Sequence, residues 1–239
     1  MSLRRSLTIS KKYGLWSMFL SACFMCIKNW NQRMTQLFLY PKSIILKGNA
    51  RIGIHHHTKL KLQNSRIIVE NGTFKAGIDY GYYDGGLFDS KRDVCRIHLI
   101  NSTLRINGDV SLYPGVQLFA QNAEIIIGNG TLINGTTQLI AMNKIEIGEG
   151  CFVAQGVIIR DNDGHKLSTD GTPPELICLP IKIGNHCWLG QRAMVMKGVT
   201  ISDNAVIAAG AVVTKDVGQG TLAGGIPAKT IFSKIAWEE

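Results

Sequence analysis

The fold is decided by the segment Ile183–Asp216, IGNHCWLGQRAMVMKGVTISDNAVIAAGAVVTKD, in which an aliphatic residue recurs at every sixth position. These aliphatic positions are Ile183, Leu189, Val195, Ile201, Ile207 and Val213. Four residues after each of them stands a small or β-branched residue, namely Cys187, Ala193, Val199, Ala205, Ala211 and Val217. A period of six matches neither a helix nor an alternating strand, so it predicts short flat strands joined by corners.

The same pattern continues upstream at Ile147, Val153 and Ile159, and again at Ile127 and Ile133. Because the step from Ile127 to Ile147 exceeds three hexapeptides by two positions, we expect two extra residues to bulge out between them. Three six-residue sides close a triangular coil, and coils stacked about 4.8 Å apart align like side chains in apolar ladders. The alternative, an antiparallel sandwich, would carry turn signals about every 8–12 residues without a fixed register.

Composition and charge exclude several classes of protein. The chain has 239 residues, of which 45% are hydrophobic and 18% charged, so it is not a disordered polar tail. The net charge of +9 is uneven, because the segment that ends at Val69 holds twelve Lys and Arg and no acid. The body is close to neutral, which argues against a polycation that binds nucleic acid, and no nucleic-acid-binding motif is present.

The N-terminal segment combines a basic start with an apolar run, Tyr13 to Ile27, that is short for a membrane span. This pattern favours a helix lying on the anionic inner leaflet of a membrane, and a helix packed on the protein's own body is the alternative. We therefore expect an N-terminal helical segment over residues 1–40, a β-helix domain over 41–232 and a C-terminal tail over 233–239. The expected location is the cytoplasm, with the inner face of the membrane as the site of a peripheral contact.

Cysteine and histidine spacing does not favour a metal site. Cys23 and Cys26 form a CxxC motif without a second pair, and Cys151 and Cys187 fall on small core positions of the repeat. Three adjacent histidines, His55 to His57, cannot all face one ion, and no carboxylate is near in sequence. The sequence therefore predicts reduced thiols and no bound metal.

The repeats resemble those of the left-handed parallel β-helix acyltransferases, in which an aliphatic residue begins each hexapeptide and a small one occupies its fifth position. Three segments carry the resemblance: Ile183–Gly190, Ile207–Asp216 and Ala223–Lys229. It covers about residues 100–232, with a degenerate extension at Ile44–Ile54 and Ile67–Ala76. The chain looks most similar to the maltose and galactoside acetyltransferases and their capsule and lipopolysaccharide relatives. The resemblance implies an all-β, left-handed parallel β-helix with a protruding catalytic loop.

The hexapeptide register breaks at residues 160–180, RDNDGHKLSTDGTPPELICLP, and a polar excursion from a rigid coil is a common place for function. The loop contains His165, whose imidazole suits a general base near neutral pH. The family places its catalytic histidine here, so the resemblance assigns His165 as the base. A carboxylate on the other ring nitrogen would fix the tautomer, and Asp161 and Asp163 both remain candidates.

The resemblance also implies the residues that bind the two substrates. Asn134 and Trp188 are assigned to the acceptor, although an asparagine at a coil corner and an aromatic residue between subunits are the alternatives. Trp188 should point outward, because its neighbours in the repeat are small. The backbone amides of Gly190 and Gln191 would bind the thioester oxygen. Acetyl-CoA would contact Ala209, Thr214, Lys215 and Lys229, although either lysine alone could be an ordinary solvated charge.

The function expected from this resemblance is acetyl-CoA-dependent O-acetylation of a sugar hydroxyl during synthesis of surface polysaccharide or lipopolysaccharide. Two alternatives remain: N-acetylation of a nucleotide-linked amino sugar, and a non-catalytic β-helix scaffold. The expected partners are coenzyme A, a sugar or glycan acceptor and two further copies of the chain in a homotrimer. No metal cofactor is expected, and the γ-class carbonic anhydrases are disfavoured because the body of the chain lacks an H-x4-H pair.

Overall fold

The structure is a computed structural model that describes Tyr40 and residues 42–78, 92–168 and 171–238. The predicted N-terminal helix and the Cys23–Cys26 motif therefore lie outside the described residues. From Lys42 onward the chain forms one compact unit. The described residues contain 23 strands and no helix. Among them, no helix has the length and apolar character needed to cross a bilayer.

The strands are short and follow one another with few intervening residues. The first eight are β1 (Ile44–Lys47), β2 (Arg51–Ile54), β3 (Lys59–Gln63), β4 (Arg66–Glu70), β5 (Thr73–Ala76), β6 (Arg96–Ile100), β7 (Thr103–Asn107) and β8 (Val110–Leu112). The next seven are β9 (Gln117–Gln121), β10 (Glu124–Ile127), β11 (Thr131–Ile133), β12 (Gln138–Ala141), β13 (Lys144–Ile147), β14 (Phe152–Val153) and β15 (Ile158–Arg160). The last eight are β16 (Ile181–Ile183), β17 (Trp188–Leu189), β18 (Met194–Val195), β19 (Thr200–Ile201), β20 (Val206–Ile207), β21 (Val212–Val213), β22 (Thr221–Gly225) and β23 (Ala228–Ser233).

Every third strand joins the same parallel sheet, so the chain winds as a three-sided coil. The first sheet has seven strands in the order β1-β4-β7-β10-β13-β16-β19, and the third has seven in the order β3-β6-β9-β12-β15-β18-β21. The second sheet has nine strands, because β22 follows β20 and β23 then adds to β22 in the antiparallel direction. This is a parallel β-helix, as the repeat predicts.

The aliphatic positions of the repeat fill the interior. Ile147 pairs directly with Ile183, and Ile183 pairs with Ile201, although the partners are far apart in sequence. All three side chains are at most 1% exposed. Like residues therefore stack in ladders whose burial supplies the main stabilising free energy of the fold.

The corners are tight, and small residues are needed in them. Cys151 and Cys187 are completely buried at the fifth positions of successive coils, as predicted. The Sγ atom of Cys151 lies 3.1 Å from the carbonyl oxygen of Gly184. A Cβ on Gly148 would lie 2.5 Å from that same carbonyl oxygen, so the close approach of adjacent coils requires a glycine there.

The coils differ in length along the helix. Ile183 pairs with Ile201, which stands three hexapeptides further on, whereas the step from Ile44 to its partner Ile67 is five positions longer than that. The step from Ile127 to Ile147 is two positions longer, and its extra residues lie between β12 and β13. The segments Ile44–Ile54 and Ile67–Ala76 form β1, β2, β4 and β5, so the degenerate extension of the repeat belongs to the β-helix.

Candidate active site

An apolar groove of about 600 Å³ runs along the outer face of the second sheet near the C-terminal end of the helix. Four of the residues predicted to bind substrate line it, namely Trp188, Gly190, Gln191 and Ala209. Most of the other lining residues are aliphatic or aromatic, among them Phe152, Val206 and Leu222. A groove with these walls favours a long, weakly polar ligand and excludes water from it.

Strand pairing places Phe152 and Trp188, two aromatic residues of the groove, in one row. Trp188 pairs with Phe152 on one side and with Val206 on the other, and all three line the groove. The Trp188 side chain is 40% exposed, which confirms that it faces outward. Its indole forms a broad apolar surface on the floor of the groove.

The C-terminal segment supplies the opposite wall, which sequence reasoning missed. Ile235, Ala236 and Trp237 line the groove, and the Trp237 ring stacks on His186 with centroids 4.2 Å apart and planes 9° apart. The indole Nε1 of Trp237 donates a hydrogen bond of 3.0 Å to the carbonyl oxygen of His186. The available signal was the sequence Ile235-Ala-Trp237, since an apolar run in a short tail commonly packs against the body of a protein.

The two backbone amides predicted to bind the thioester oxygen differ in availability. The Gly190 N–H donates to the carbonyl oxygen of Ile207 at 2.7 Å, because the parallel ladder continues through this residue. The expectation that the Gly190 amide binds the thioester oxygen is therefore wrong. Glycine is required at this position for a different reason, because a Cβ would lie 2.6 Å from the carbonyl oxygen of Ile207. The Gln191 N–H has no acceptor within the described residues, so it remains free to bind a ligand oxygen.

The loop over residues 160–180 leaves the helix after β15 and returns at β16 as an irregular hairpin. Antiparallel bridges join Asn162 to Cys178 and Leu167 to Glu175. His165 lies between these bridges and is exposed to solvent. It is not among the residues that line the groove of its own chain.

Neither candidate carboxylate is hydrogen bonded to His165 within the described residues. Asp163 instead forms an ion pair of 2.7 Å with Lys197, which ties the loop to the corner after β18. Its second oxygen, Oδ2, is buried without a hydrogen-bond partner in the described part of the chain. Asp163 therefore stays a candidate for orienting His165 only if the loop adjusts when substrate binds.

Both carboxylate oxygens of Asp161 are engaged by backbone amides, which corrects the expectation that Asp161 is a candidate for orienting His165. It is fully buried, and its two carboxylate oxygens accept hydrogen bonds of 2.7 and 2.8 Å from the amides of Met142 and Asn143. The side chain of Asn162 donates a third hydrogen bond, of 3.0 Å, to Oδ1. These contacts stabilise the two-residue bulge between β12 and β13 at the point where the loop begins.

Replacing Asp161 with alanine should destabilise the protein. The change would leave the part-buried backbone amides of Met142 and Asn143 without their acceptor, so we expect the free energy of unfolding to fall by about 2 kcal/mol. Urea unfolding followed by circular dichroism measures this. Glu149→Ala is the matched control, because this exposed carboxylate makes no hydrogen bond through its side chain in the described residues. Equal midpoints for the two variants would contradict the structural role of Asp161.

The remaining predicted residues do not line the groove. Asn134 is at the same corner as the groove residue Ala154, one coil away, and donates its backbone N–H to the carbonyl oxygen of Val153 at 2.8 Å. Lys229 is the strand partner of Gly224 in the C-terminal hairpin. Gly224 packs closely against the groove residue Ala208, since a Cβ on Gly224 would lie 2.9 Å from the Cβ of Ala208. Thr214 and Lys215 are exposed in the turn that follows β21.

The described cysteines are poorly suited to nucleophilic chemistry. Burial raises the pKa of Cys95 to about 12. Burial and, to a lesser extent, the nearby charges of Asp161 and Asp163 raise the pKa of Cys178 in the loop. A hydrogen bond between Cys151 and Cys187, together with burial, raises the pKa of Cys187. The same hydrogen bond lowers the pKa of Cys151, but both thiols are enclosed in the β-helix interior, where no substrate reaches them. Within the described residues no three potential ligands are arranged to hold a metal ion.

Comparison with known proteins gives a consistent result. A family profile described as "Hexapeptide repeat of succinyl-transferase" matches residues 180–215. Galactoside O-acetyltransferase of Escherichia coli strain K12 is 33% identical over 116 residues, which cover 47% of this chain and 56% of that protein. Polysialic acid O-acetyltransferase of Escherichia coli O1:K1 / APEC is 29% identical over 140 residues, which cover 58% of this chain and 43% of that protein. The chain thus spans about half the length of these curated relatives.

A solved structure extends the comparison to most of the chain. The crystal structure of the polysialic-acid-specific acetyltransferase NeuO matches with a TM-score of 0.57 at 24% identity, covering 82% of this chain and 88% of that one. This likeness shows a common fold. The predicted left-handed parallel β-helix is therefore confirmed, while the N-terminal helical segment remains a prediction.

Proposed function

Because the chain carries the repeat and the left-handed parallel β-helix of the hexapeptide-repeat acyltransferases, we propose that it is an acetyl-CoA-dependent O-acetyltransferase of a sugar hydroxyl. The observation that carries the proposal is the groove, because Trp188, Gln191 and Ala209 line one apolar channel. The relatives named galactoside and polysialic acid O-acetyltransferase support a carbohydrate hydroxyl as the acceptor. Synthesis of surface polysaccharide or lipopolysaccharide is the process that this acceptor class suggests.

In this proposal the pantetheine arm of acetyl-CoA lies along the groove, with Ala209 and Trp188 beside it. The thioester carbonyl oxygen then points at the free N–H of Gln191. Negative charge develops on that oxygen in the transition state, and a preorganised amide in an apolar site stabilises it. The exposed side chains of Lys229 and of Lys215, which follows Thr214 in sequence, attract the phosphate groups of coenzyme A.

His165 removes the proton of the acceptor hydroxyl as the oxygen attacks the thioester carbon. The tetrahedral intermediate collapses with cleavage of the C–S bond, and the imidazolium returns the proton to the departing coenzyme A thiolate. Transfer is direct, because Cys95, Cys178 and Cys187 have raised pKa values and so give little thiolate near neutral pH. The remaining described thiol, Cys151, is completely buried in the β-helix interior and cannot reach a substrate in the groove.

Two subunits contribute to each site in this proposal. His165 is exposed and lies outside the groove-lining residues of its own chain. A homotrimer, in which the loop of one subunit reaches the groove of the next, would bring the base and the thioester together. The acceptor would bind between the two subunits, near Asn134 and Trp188.

Activity of the purified full-length chain tests the proposal. Release of coenzyme A thiol from acetyl-CoA should depend on addition of a galactoside or a sialic acid oligomer, and mass spectrometry should locate the acetyl group on oxygen. An amino sugar offered in competition separates O-transfer from N-transfer. If calorimetry finds no binding of coenzyme A and no acceptor is acetylated, the scaffold alternative is correct instead.

A further inference from the structure

Two glutamine side chains stand together at the edge of the groove. Gln155 and Gln191 occupy equivalent positions in successive coils, since each lies two residues after one member of the strand pair Val153 and Leu189. The Arg192 N–H accordingly donates to the Gln155 carbonyl oxygen at 2.9 Å. The Nε2 atom of Gln191 donates a hydrogen bond of 3.1 Å to Oε1 of Gln155. Gln155 is half-buried and Gln191 is exposed. We refer to these two side chains as the Gln155–Gln191 pair.

The pair presents fixed hydrogen-bonding groups that nothing in the described residues uses. Once Gln191 has donated to Gln155, both hydrogens on Nε2 of Gln155 and the Oε1 atom of Gln191 remain without a partner there. The hydrogen bond between the two amides limits the rotamers of both side chains. Less conformational entropy is therefore lost when a ligand binds to them.

The surroundings of the pair match a sugar ring. The equivalent positions in the flanking coils are Gly135 and Ala209, so the pair supplies the polar side chains of this column while leaving space on either side. The adjoining wall is apolar, since Phe152, Ala154 and Trp188 line the groove beside it. A pyranose has an apolar C–H face and a rim of hydroxyl groups that both donate and accept, which requires this combination of surfaces.

We propose that Gln155 is an acceptor-binding residue that hydrogen-bonds, through Nε2, the hydroxyl group next to the one that is acetylated. The inference rests on the proposed function, in which the Gln191 N–H holds the thioester oxygen. Successive coils are about 4.8 Å apart, so the Gln155 amide lies one coil from the reacting carbonyl. A neighbouring hydroxyl on the same sugar residue lies within that reach. The acceptor class that follows is a glycoside whose acetylated residue carries a vicinal diol.

Three variants test this assignment in the full-length protein. In Gln155→Glu, a carboxylate oxygen still accepts from Gln191, but the outward donors are lost; in Gln155→Leu both functions are lost. Gln117→Leu is the control, because Gln117 is an exposed glutamine on β9 in the third sheet, away from the groove. The acceptor is whichever of a galactoside and a sialic acid oligomer the wild-type protein acetylates; the terminal residue of either carries vicinal hydroxyl groups.

We expect both Gln155 variants to raise the KM for the acceptor about tenfold, as loss of one or two hydrogen bonds would. The KM for acetyl-CoA should stay within about twofold of wild type, and Gln117→Leu should leave both values unchanged. If Gln155 only braces Gln191, Gln155→Glu should behave as wild type, and that result would overturn the assignment. An unchanged acceptor KM in Gln155→Leu would also overturn it.

The two proposals fail in different ways. A wild-type protein that neither binds coenzyme A in calorimetry nor acetylates either acceptor overturns the proposed function and, with it, the assignment of Gln155. A wild-type protein that acetylates an acceptor, with Gln155 variants that keep the normal acceptor KM, overturns the assignment of Gln155 alone.

Discussion

Replacing His165 with alanine should lower turnover by about two to four orders of magnitude, the range that loss of a general base produces. Without the imidazole, the acceptor hydroxyl must lose its proton to water while it attacks the thioester. Because His165 is exposed and makes no hydrogen bond through its side chain in the described residues, the fold should not change. Acetyl-CoA should bind as before, since the groove is untouched. Steady-state kinetics and calorimetry on the same preparation measure both effects.

Lys166→Ala is the matched control for this prediction. Lys166 is the next residue of the same exposed loop, and it has no assigned part in the reaction. We expect the lysine variant to keep most of the wild-type turnover and both variants to melt at the same temperature as the wild type. A His165→Ala protein with ordinary turnover would remove the base from the mechanism, while loss of activity in both variants would point to a disturbed loop.

Mixed trimers should recover activity that each parent variant lacks. The parents are His165→Ala, which keeps the groove, and Ala209→Trp, which fills the groove with an indole but keeps the base. Both should be almost inactive alone. In a cyclic trimer that contains both chains, one of the three sites combines an intact histidine with an intact groove, so turnover should rise to about a third of the wild-type value.

Co-expression with two different affinity tags isolates these mixed assemblies, because only they are retained by both columns in succession. The same two tags on each parent variant provide the control for any effect of tagging. If the base and the groove of one chain formed the site together, the mixed assemblies would stay as inactive as the parents. Sedimentation of the wild type as a species other than a trimer would contradict the geometry on which the expected ratio depends.

The fold could be read from the sequence mainly because the tightest coils tolerate little variation. Between Ile183 and Ile201 each side of the triangle is one hexapeptide, and corner volume restricts the fifth position, so the period is visible in a single sequence. Upstream, the steps between paired strands exceed three hexapeptides, and the additional residues are accommodated at corners. From Ile67 onward those ladders are as well buried as the ones downstream, but the varying corner length conceals the period.

The site was partly predictable, and the misses share a cause. The groove position of Gln191 and the outward direction of Trp188 follow from their places in the repeat. Whether the Gly190 amide is free depends on how far a ladder continues, and the partners of Asp161 depend on a bulge in the preceding coil. Such contacts join neighbouring coils rather than residues close in sequence. A one-dimensional pattern does not contain that information.

The direct pairing of Ile145 with Ile181 has a consequence for how such proteins diversify. Since β15 and β16, which flank the hairpin that carries His165, pair in register with the preceding coil, the hairpin interrupts the β-helix without displacing the neighbouring strands. The part of the hairpin that follows Asp161 can therefore be replaced by a segment of another length or composition at small thermodynamic cost. Substrate preference should therefore change mainly through replacement of this hairpin, whereas the coils of the β-helix stay the same among related proteins.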